Sequence, residues 1–234
     1  MRKNTLLIIA ISLIMTSCNE TPTSHVYFID CTNSTILSKS GMYANNFYKG
    51  FKNMIDNNVM AGETITIYPI HAQTLSAAKI GEWVMPMPKD INYKIQRRKM
   101  VESIISAVEN KIEKMRPEVR SHTSIFPVFD KLKRVSNKDN MNVTIISDMI
   151  QDNSIMSFPN QFKSVNNKTV KKFAIQQYLQ RKDDISIEGK HISILIPSTE
   201  SGNSYGDSFN KKVNTFWEAF MNEAGVVLSI KDLS

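Results

Sequence analysis

The sequence predicts an α/β domain: one doubly wound, mostly parallel sheet with helices on both faces. Two observations carry this expectation. Short apolar runs rich in β-branched residues (26–29, 64–70, 142–147, 191–196 and 226–230) alternate along the chain with amphipathic helical patterns. The first of these runs, 26–29, is also continuously apolar, as a strand covered on both faces is. Length and composition agree, since 234 residues with 41% hydrophobic and 22% charged residues suit one sizeable globular domain.

The first element is not part of that domain. Arg2 and Lys3 precede an apolar stretch from Leu6 to Met15, then Thr16, Ser17 and Cys18. A cationic start, a short apolar region and small residues make a secretion signal. The stretch is about half the twenty apolar residues that a membrane span needs. A cysteine at the cleavage position resembles the lipobox of bacterial lipoproteins, which implies that Cys18 is acylated and becomes the first mature residue. On this reading residues 1–17 are a signal peptide and 18–25 a lipid anchor and tether. Residues 26–234 form the domain, held at the bacterial envelope on its periplasmic or cell-surface side.

Val26 to Ile29 is then the first buried strand. Met42, Phe47, Phe51 and Ile55 recur near every fourth residue and predict a helix over about 40–56. The β-branched run 64–70 is the second strand. Residues 72–89 break the pattern, and Trp83-Val84-Met85-Pro86-Met87-Pro88 is expected to be an irregular insertion rather than a strand of the sheet. Asp90 is placed to cap the longest helix, whose apolar stripe is Ile91, Ile95, Val101, Ile104, Ile105, Val108, Ile112 and Met115. A helix over about 124–135, the strand 142–147 and a helix around Val170 to Tyr178 follow. The strand 191–196 leads to an aromatic helix (Phe209, Val213, Phe216, Trp217, Phe220) that Gly225 closes, and 226–230 is the last strand.

The formal charge is +7, with 29 basic and 22 acidic residues spread along the chain. The densest cluster, Lys94, Arg97, Arg98 and Lys99, has helical spacing and reads as a solvated helix face. With an export signal in the same chain, nucleic acid is not an expected partner. Cys31 is the one cysteine besides Cys18, and at the end of an apolar run it reads as a small buried residue rather than a nucleophile.

Ligands of open parallel sheets bind beyond the carboxyl ends of the strands. Two predicted strands end in a carboxylate there: Phe28-Ile29-Asp30-Cys31-Thr32-Asn33-Ser34 and Ile145-Ile146-Ser147-Asp148. Between them, Thr123 stands ahead of a helix. Carboxylates and hydroxyls are hard oxygen ligands, suited to Mg²⁺ or Mn²⁺. Alternate residues of an extended turn can face one centre, so Asp30, Thr32 and Ser34 are able to converge. A plainer role is open to all five, since aspartates and hydroxyls after strands also close turns and cap helices.

This constellation resembles the von Willebrand factor type A domain, a Rossmann-like fold with a metal-ion-dependent adhesion site. The resemblance extends over roughly residues 26–232. It implies Asp30, Thr32 and Ser34 as the Asp-x-Ser-x-Ser loop, with threonine for the first serine, Thr123 as the second-loop threonine and Asp148 as the distant aspartate. It further implies a bound Mg²⁺ or Mn²⁺ whose open position takes a carboxylate from a protein partner, and a binding module rather than an enzyme. The alternatives are a metal-free scaffold subunit of an envelope, secretion or conjugation assembly and, less well matched, a hydrolase. Asp30 with Thr32 is faintly similar to the haloacid dehalogenase phosphatases, which place a second aspartate where Thr32 stands. Neither a Gly-x-Gly-x-x-Gly turn nor a phosphate loop is present, and His25, His71, His122 and His191 lack metal-ligand spacing.

Overall fold

The computed structural model describes residues 22–32, 42–89, 91–115, 122–135, 140–185, 187, 191–197 and 206–233. The signal peptide, Cys18, Ser34 and Asp90 lie outside these residues. Within them the chain runs β1 (Ser24–Asp30), α1 (Met42–Asn58), β2 (Thr64–Ile70), β3 (Gly81–Val84), α2 (Tyr93–Met115), α3 (Phe126–Val135) and β4 (Met141–Ile146). It continues through α4 (Phe158–Phe162), α5 (Asn167–Arg181), β5 (His191–Pro197), α6 (Asp207–Glu223) and β6 (Val227–Leu233). The strands form one sheet in the order β3-β2-β1-β4-β5-β6, parallel except for β3. The fold is therefore doubly wound α/β, Rossmann-like, as the alternation of runs and helices predicts.

Alternation within β1 explains the two layers. Tyr27 and Ile29 face a core built with Phe47, Phe51 and Ile55 of α1 and Val101, Ile104 and Val108 of α2. Val26 and Phe28 face the opposite core, with α3, α5 and α6. That second core is aromatic: Trp217 packs 5.2 Å from Phe126, 5.7 Å from Phe129 and 5.6 Å from Phe220 between ring centroids. Gly225, at φ 65°, ends α6 as expected, with its own N–H on the Asn222 carbonyl and that of Val226 on Met221.

The structure corrects the sequence reading in three places. Within 72–89, residues 81–84 are a strand of the sheet, antiparallel to β2, with Trp83 opposite Ile65. An edge strand needs partners on one side only, and Pro86 and Pro88 fall beyond its end. The loop before it is pinned by Lys131, whose buried ammonium donates to the carbonyls of Thr74, Leu75 and Ala77. The second correction concerns α2. Its stripe is buried from Val101 to Ile112, but Ile91 and Ile95 are exposed. Lys94 lies seven residues, two turns, before Val101 and so shares its face, yet it too is exposed. The start of α2 thus projects beyond the core. Third, the short helix α4 has no sequence signal comparable to the others; Phe158 and Phe162 bury it against Phe216 of α6.

Candidate metal centre

The parallel order places β1 and β4 side by side, with the chain winding one way through β2 and the other way through β5 and β6. The carboxyl ends of β1 and β4 are therefore the switch point, where successive connections diverge and leave a crevice. Ile29 pairs with Ile146, so the next residue of each chain, Asp30 and Ser147, stand level. Ser147 Oγ donates to Asp30 Oδ2 at 2.6 Å. On the other carboxylate oxygen, Asp30 Oδ1 accepts from Thr32 N at 2.9 Å and Thr32 Oγ1 at 2.7 Å. Thr123 Oγ1 donates in turn to Thr32 Oγ1 at 2.8 Å. All four residues are buried, Asp30 completely.

Each member is held by its own loop. Thr123 pairs with Asp152 through both backbone bonds, Thr123 N to Asp152 O at 2.9 Å and the reverse at 3.0 Å. Gln151 Oε1 takes the N–H groups of Ile125 and Phe126 ahead of α3, which fixes the approach of Thr123 to the helix. After β4, Met149 adopts φ 59°, a left-handed conformation unfavourable for a side-chain-bearing residue. Two bonds enforce it: Met149 N donates to Ser147 Oγ at 2.9 Å, and Trp217 Nε1 donates to Met149 O at 2.8 Å. Strain held this way beside a strand end is a mark of functional sites.

Burial pushes the Asp30 carboxyl above its ordinary range, with the Ser147 and Thr32 donors partly offsetting it. Burial likewise raises the Cys31 thiol, with the Asp30 charge adding to it, which makes Cys31 a packing residue. Beside Thr32 a cavity of about 180 Å³ opens between the ends of β1 and β2, bordered by His71, Gln73 and Lys111.

Of the residues expected to form a metal site, the structure brings Asp30, Thr32 and Thr123 into one bonded cluster. Asp148 lies on the adjoining loop, half-buried, with Oδ1 accepting Ile150 N at 3.0 Å. Ser34 falls outside the described residues. The group that ties β4 to Asp30 is Ser147, one residue before the expected aspartate. The apolar runs alone did not single it out from Asp148; the register of β1 on β4 does. Gln151, Asp152 and Trp217 were not legible as site residues, because each bonds to the backbone of a site loop and not to the cluster itself.

Hydroxyl and carboxylate oxygens are the donor type that Mg²⁺ and Mn²⁺ take. The two threonine oxygens lie 2.8 Å apart, close to the roughly 3 Å that separates neighbouring ligands around an octahedral Mg²⁺. Thr32 Oγ1 donates to Asp30 and accepts from Thr123, which leaves it one lone pair for an ion, while Thr123 Oγ1, as donor, keeps two. Among the described residues, no group of three or more His, Cys, Asp or Glu side chains is arranged to hold a metal. Any ion here would rest chiefly on hydroxyls.

No protein-family model and no curated protein sequence matches this chain. Solved structures similar to it include an aerotolerance-related membrane protein from Bacteroides fragilis NCTC 9343, at 9% identity and TM-score 0.43 over 89% of this chain and 92% of that one. Another is proximal thread matrix protein 1 from the mussel byssus, at 12% identity and TM-score 0.41 over 88% of this chain and 49% of that one. Likenesses this loose carry no function, so the functional reading rests on the cluster at the switch point.

Proposed function

We infer that this chain is an envelope lipoprotein whose domain, of von Willebrand factor A type, binds a protein partner through a divalent ion. The observation that carries this reading is the buried Asp30 with Thr32, Thr123 and Ser147 at the ends of β1 and β4. A carboxylate buried without a cation is costly. Mg²⁺ or Mn²⁺ would supply the countercharge and an acceptor site for a partner carboxylate. Thr32 and Thr123 would hold it, with Asp30 orienting Thr32 and Asp148 completing the set from the loop after β4. Lys111, at the border of the adjoining cavity, adds a second attraction for an acidic partner.

Isothermal titration with Mn²⁺ tests the site directly. Wild type should bind with a stoichiometry near one, and Asp30→Ala should not bind. Heat signals that are equal in the two proteins would remove the metal reading. The anchor is tested separately: a fatty-acid probe should label the wild type in cells and not Cys18→Ala, and equal labelling would remove it.

One observation favours the metal-free scaffold as a second reading. The cluster already forms a closed chain, Thr123 to Thr32 to Asp30 and Ser147 to Asp30, which serves a structural role without an ion. Partner capture that is unchanged by chelator would select this reading.

A further inference from the structure

The end of the sheet opposite the metal cluster has a different character. Of the seven large hydrophobic residues exposed among the described residues, Met60, Val84, Met87, Ile91 and Ile95 all belong to this end. Strand register and loop bonds bring three of them together. Thr64, at the start of β2, pairs with Val84 at the end of β3. The Met60–Gly62 turn is tied to the segment after β3 by Gly62 N on Met85 O, and Met87 Sδ lies over Gly62. Ile91, in the turn before α2, and Ile95, in its projecting first turn, follow.

Basic residues share the segment that carries Ile91 and Ile95, while Glu63 accepts from Met60 N in the turn before β2. Lys89, Lys94, Arg98 and Lys99 are exposed on the same segment. Arg98 faces Glu102 at 3.5 Å as a solvated pair. Arg97 is used otherwise: its guanidinium donates to the Asp56 and Val59 carbonyls at the end of α1, each at 3.0 Å. Ile95 and Arg98, three residues apart, lie on one face of α2, and Ile91 stands in the turn just before it. Exposed apolar side chains flanked by lysine and arginine at a helix start are the pattern of a segment that lies in a lipid interface.

The anchor points to the same end. Ser24, the first residue of β1, pairs with Thr64, which pairs with Val84. With strands about 4.8 Å apart, the root of the tether is roughly 10 Å from Val84. Six residue steps separate Cys18 from Ser24, at most roughly 20 Å of chain. An acylated Cys18 would hold this end of the sheet, and not the metal cluster, near the bilayer.

We propose that the surface formed by Met60, Val84, Met87, Ile91 and Ile95 with Lys94, Arg98 and Lys99 docks on an anionic phospholipid bilayer. It thereby presents the Asp30 cluster away from the membrane. The proposal rests on the lipid anchor inferred above. Apolar side chains enter the headgroup region, and the cations meet anionic headgroups, each strengthening docking about fivefold.

The experiment uses the full acylated chain, purified in detergent and reconstituted into vesicles of phosphatidylcholine with or without phosphatidylglycerol. Cys31 is buried and Cys18 is acylated, so an introduced cysteine is the accessible thiol for an environment-sensitive fluorophore. A label on Ile91→Cys should be quenched by a lipid-borne quencher in phosphatidylglycerol vesicles. A label on Ile155→Cys, an exposed position on the loop after β4, should not. Adding K94E, R98E and K99E should abolish the difference. Equal quenching at both positions, or none at Ile91 with Cys18 acylated, overturns the docking face. A blue shift at Ile91 that depends on protein concentration and not on lipid overturns it in favour of self-association. An unmodified Cys18 in the mass spectrum overturns the anchor itself, so the two failures are distinguishable.

Discussion

The two ends of this sheet handle polar and apolar groups in opposite ways. At the carboxyl end, Asp30, Thr32, Thr123 and Ser147 are taken out of water and bonded to one another. At the amino end, Met60, Val84, Met87, Ile91 and Ile95 are left in contact with it. Both arrangements oppose ordinary burial preferences, which put apolar groups inside and charges outside. A buried carboxylate is tolerated when donors surround it, and its desolvation can be relieved by a cation. Exposed isoleucines and methionines have no comparable internal remedy, and relief comes only from another surface. The cluster is therefore expected to respond to ions and pH, and the apolar end to lipid.

The largest expected effect separates the two parts of helix α2. Ile104 is fully buried and touches the core between α1 and the sheet. Ile104→Ala should cost about 2–5 kcal/mol, measured by urea denaturation, because it removes buried methyl groups and leaves a cavity. A cost below about 1 kcal/mol would mean that the buried part of the stripe is no better packed than the exposed one.

Next in size is the response of the cluster to Mg²⁺ or Mn²⁺. At a hundred times the dissociation constant the ion should stabilise wild type by about 2.7 kcal/mol. For a domain of this size that corresponds to a rise in Tm of roughly 5–10 °C. Asp30→Asn should abolish the rise while keeping the shape of the side chain. A rise preserved in Asp30→Asn would locate the ion elsewhere.

Much of this contrast was legible in the sequence, and what escaped has a common cause. Five parallel strands, the connecting helices and the convergence of Asp30, Thr32 and Thr123 follow from local periodicity and from where strands end. β3 was hidden because an edge strand of four residues with prolines beside it carries little periodicity. The exposure of Ile91 and Ile95 was hidden because a long run of apolar residues reads as one stripe, although Ile91 precedes the helix and Ile95 lies about 120° round it from Val101. Ser147 was hidden for another reason: Asp148 beside it is the more conspicuous ligand type, and only the pairing of Ile29 with Ile146 shows which of the two stands level with Asp30.

The third effect is pH-dependent and concerns the Asp30 carboxyl. The Asp30 carboxyl titrates above its unfolded value, near 3.9, because burial disfavours the charge. Between the unfolded and the folded pKa the folded state holds the extra proton. Stability therefore falls as pH rises through that interval, and the penalty is complete above the folded pKa. Ser147→Ala removes a donor from the ionised carboxylate and an acceptor from Met149 N. It should cost about 1–3 kcal/mol above the folded pKa of Asp30, and less below it, where Asp30 carries a proton. A cost independent of pH would assign Ser147 to holding the Met149 turn rather than to the Asp30 charge.

The smallest effect is the most pointed one for the apolar end. Ile91→Ser and Ile95→Ser each remove a large hydrophobic side chain, which in a core would be severe. Both side chains are exposed at the start of α2, ahead of the first buried residue of its stripe, Val101. In the metal-bound or metal-free protein without lipid, each substitution should change stability by less than about 0.5 kcal/mol, the usual range for surface positions. The corresponding Tm shift is under roughly 2 °C. A loss of 2 kcal/mol at either position would mean that another part of the chain covers it in solution, and the unrelieved apolar surface that sets this end apart from the Asp30 cluster would not exist.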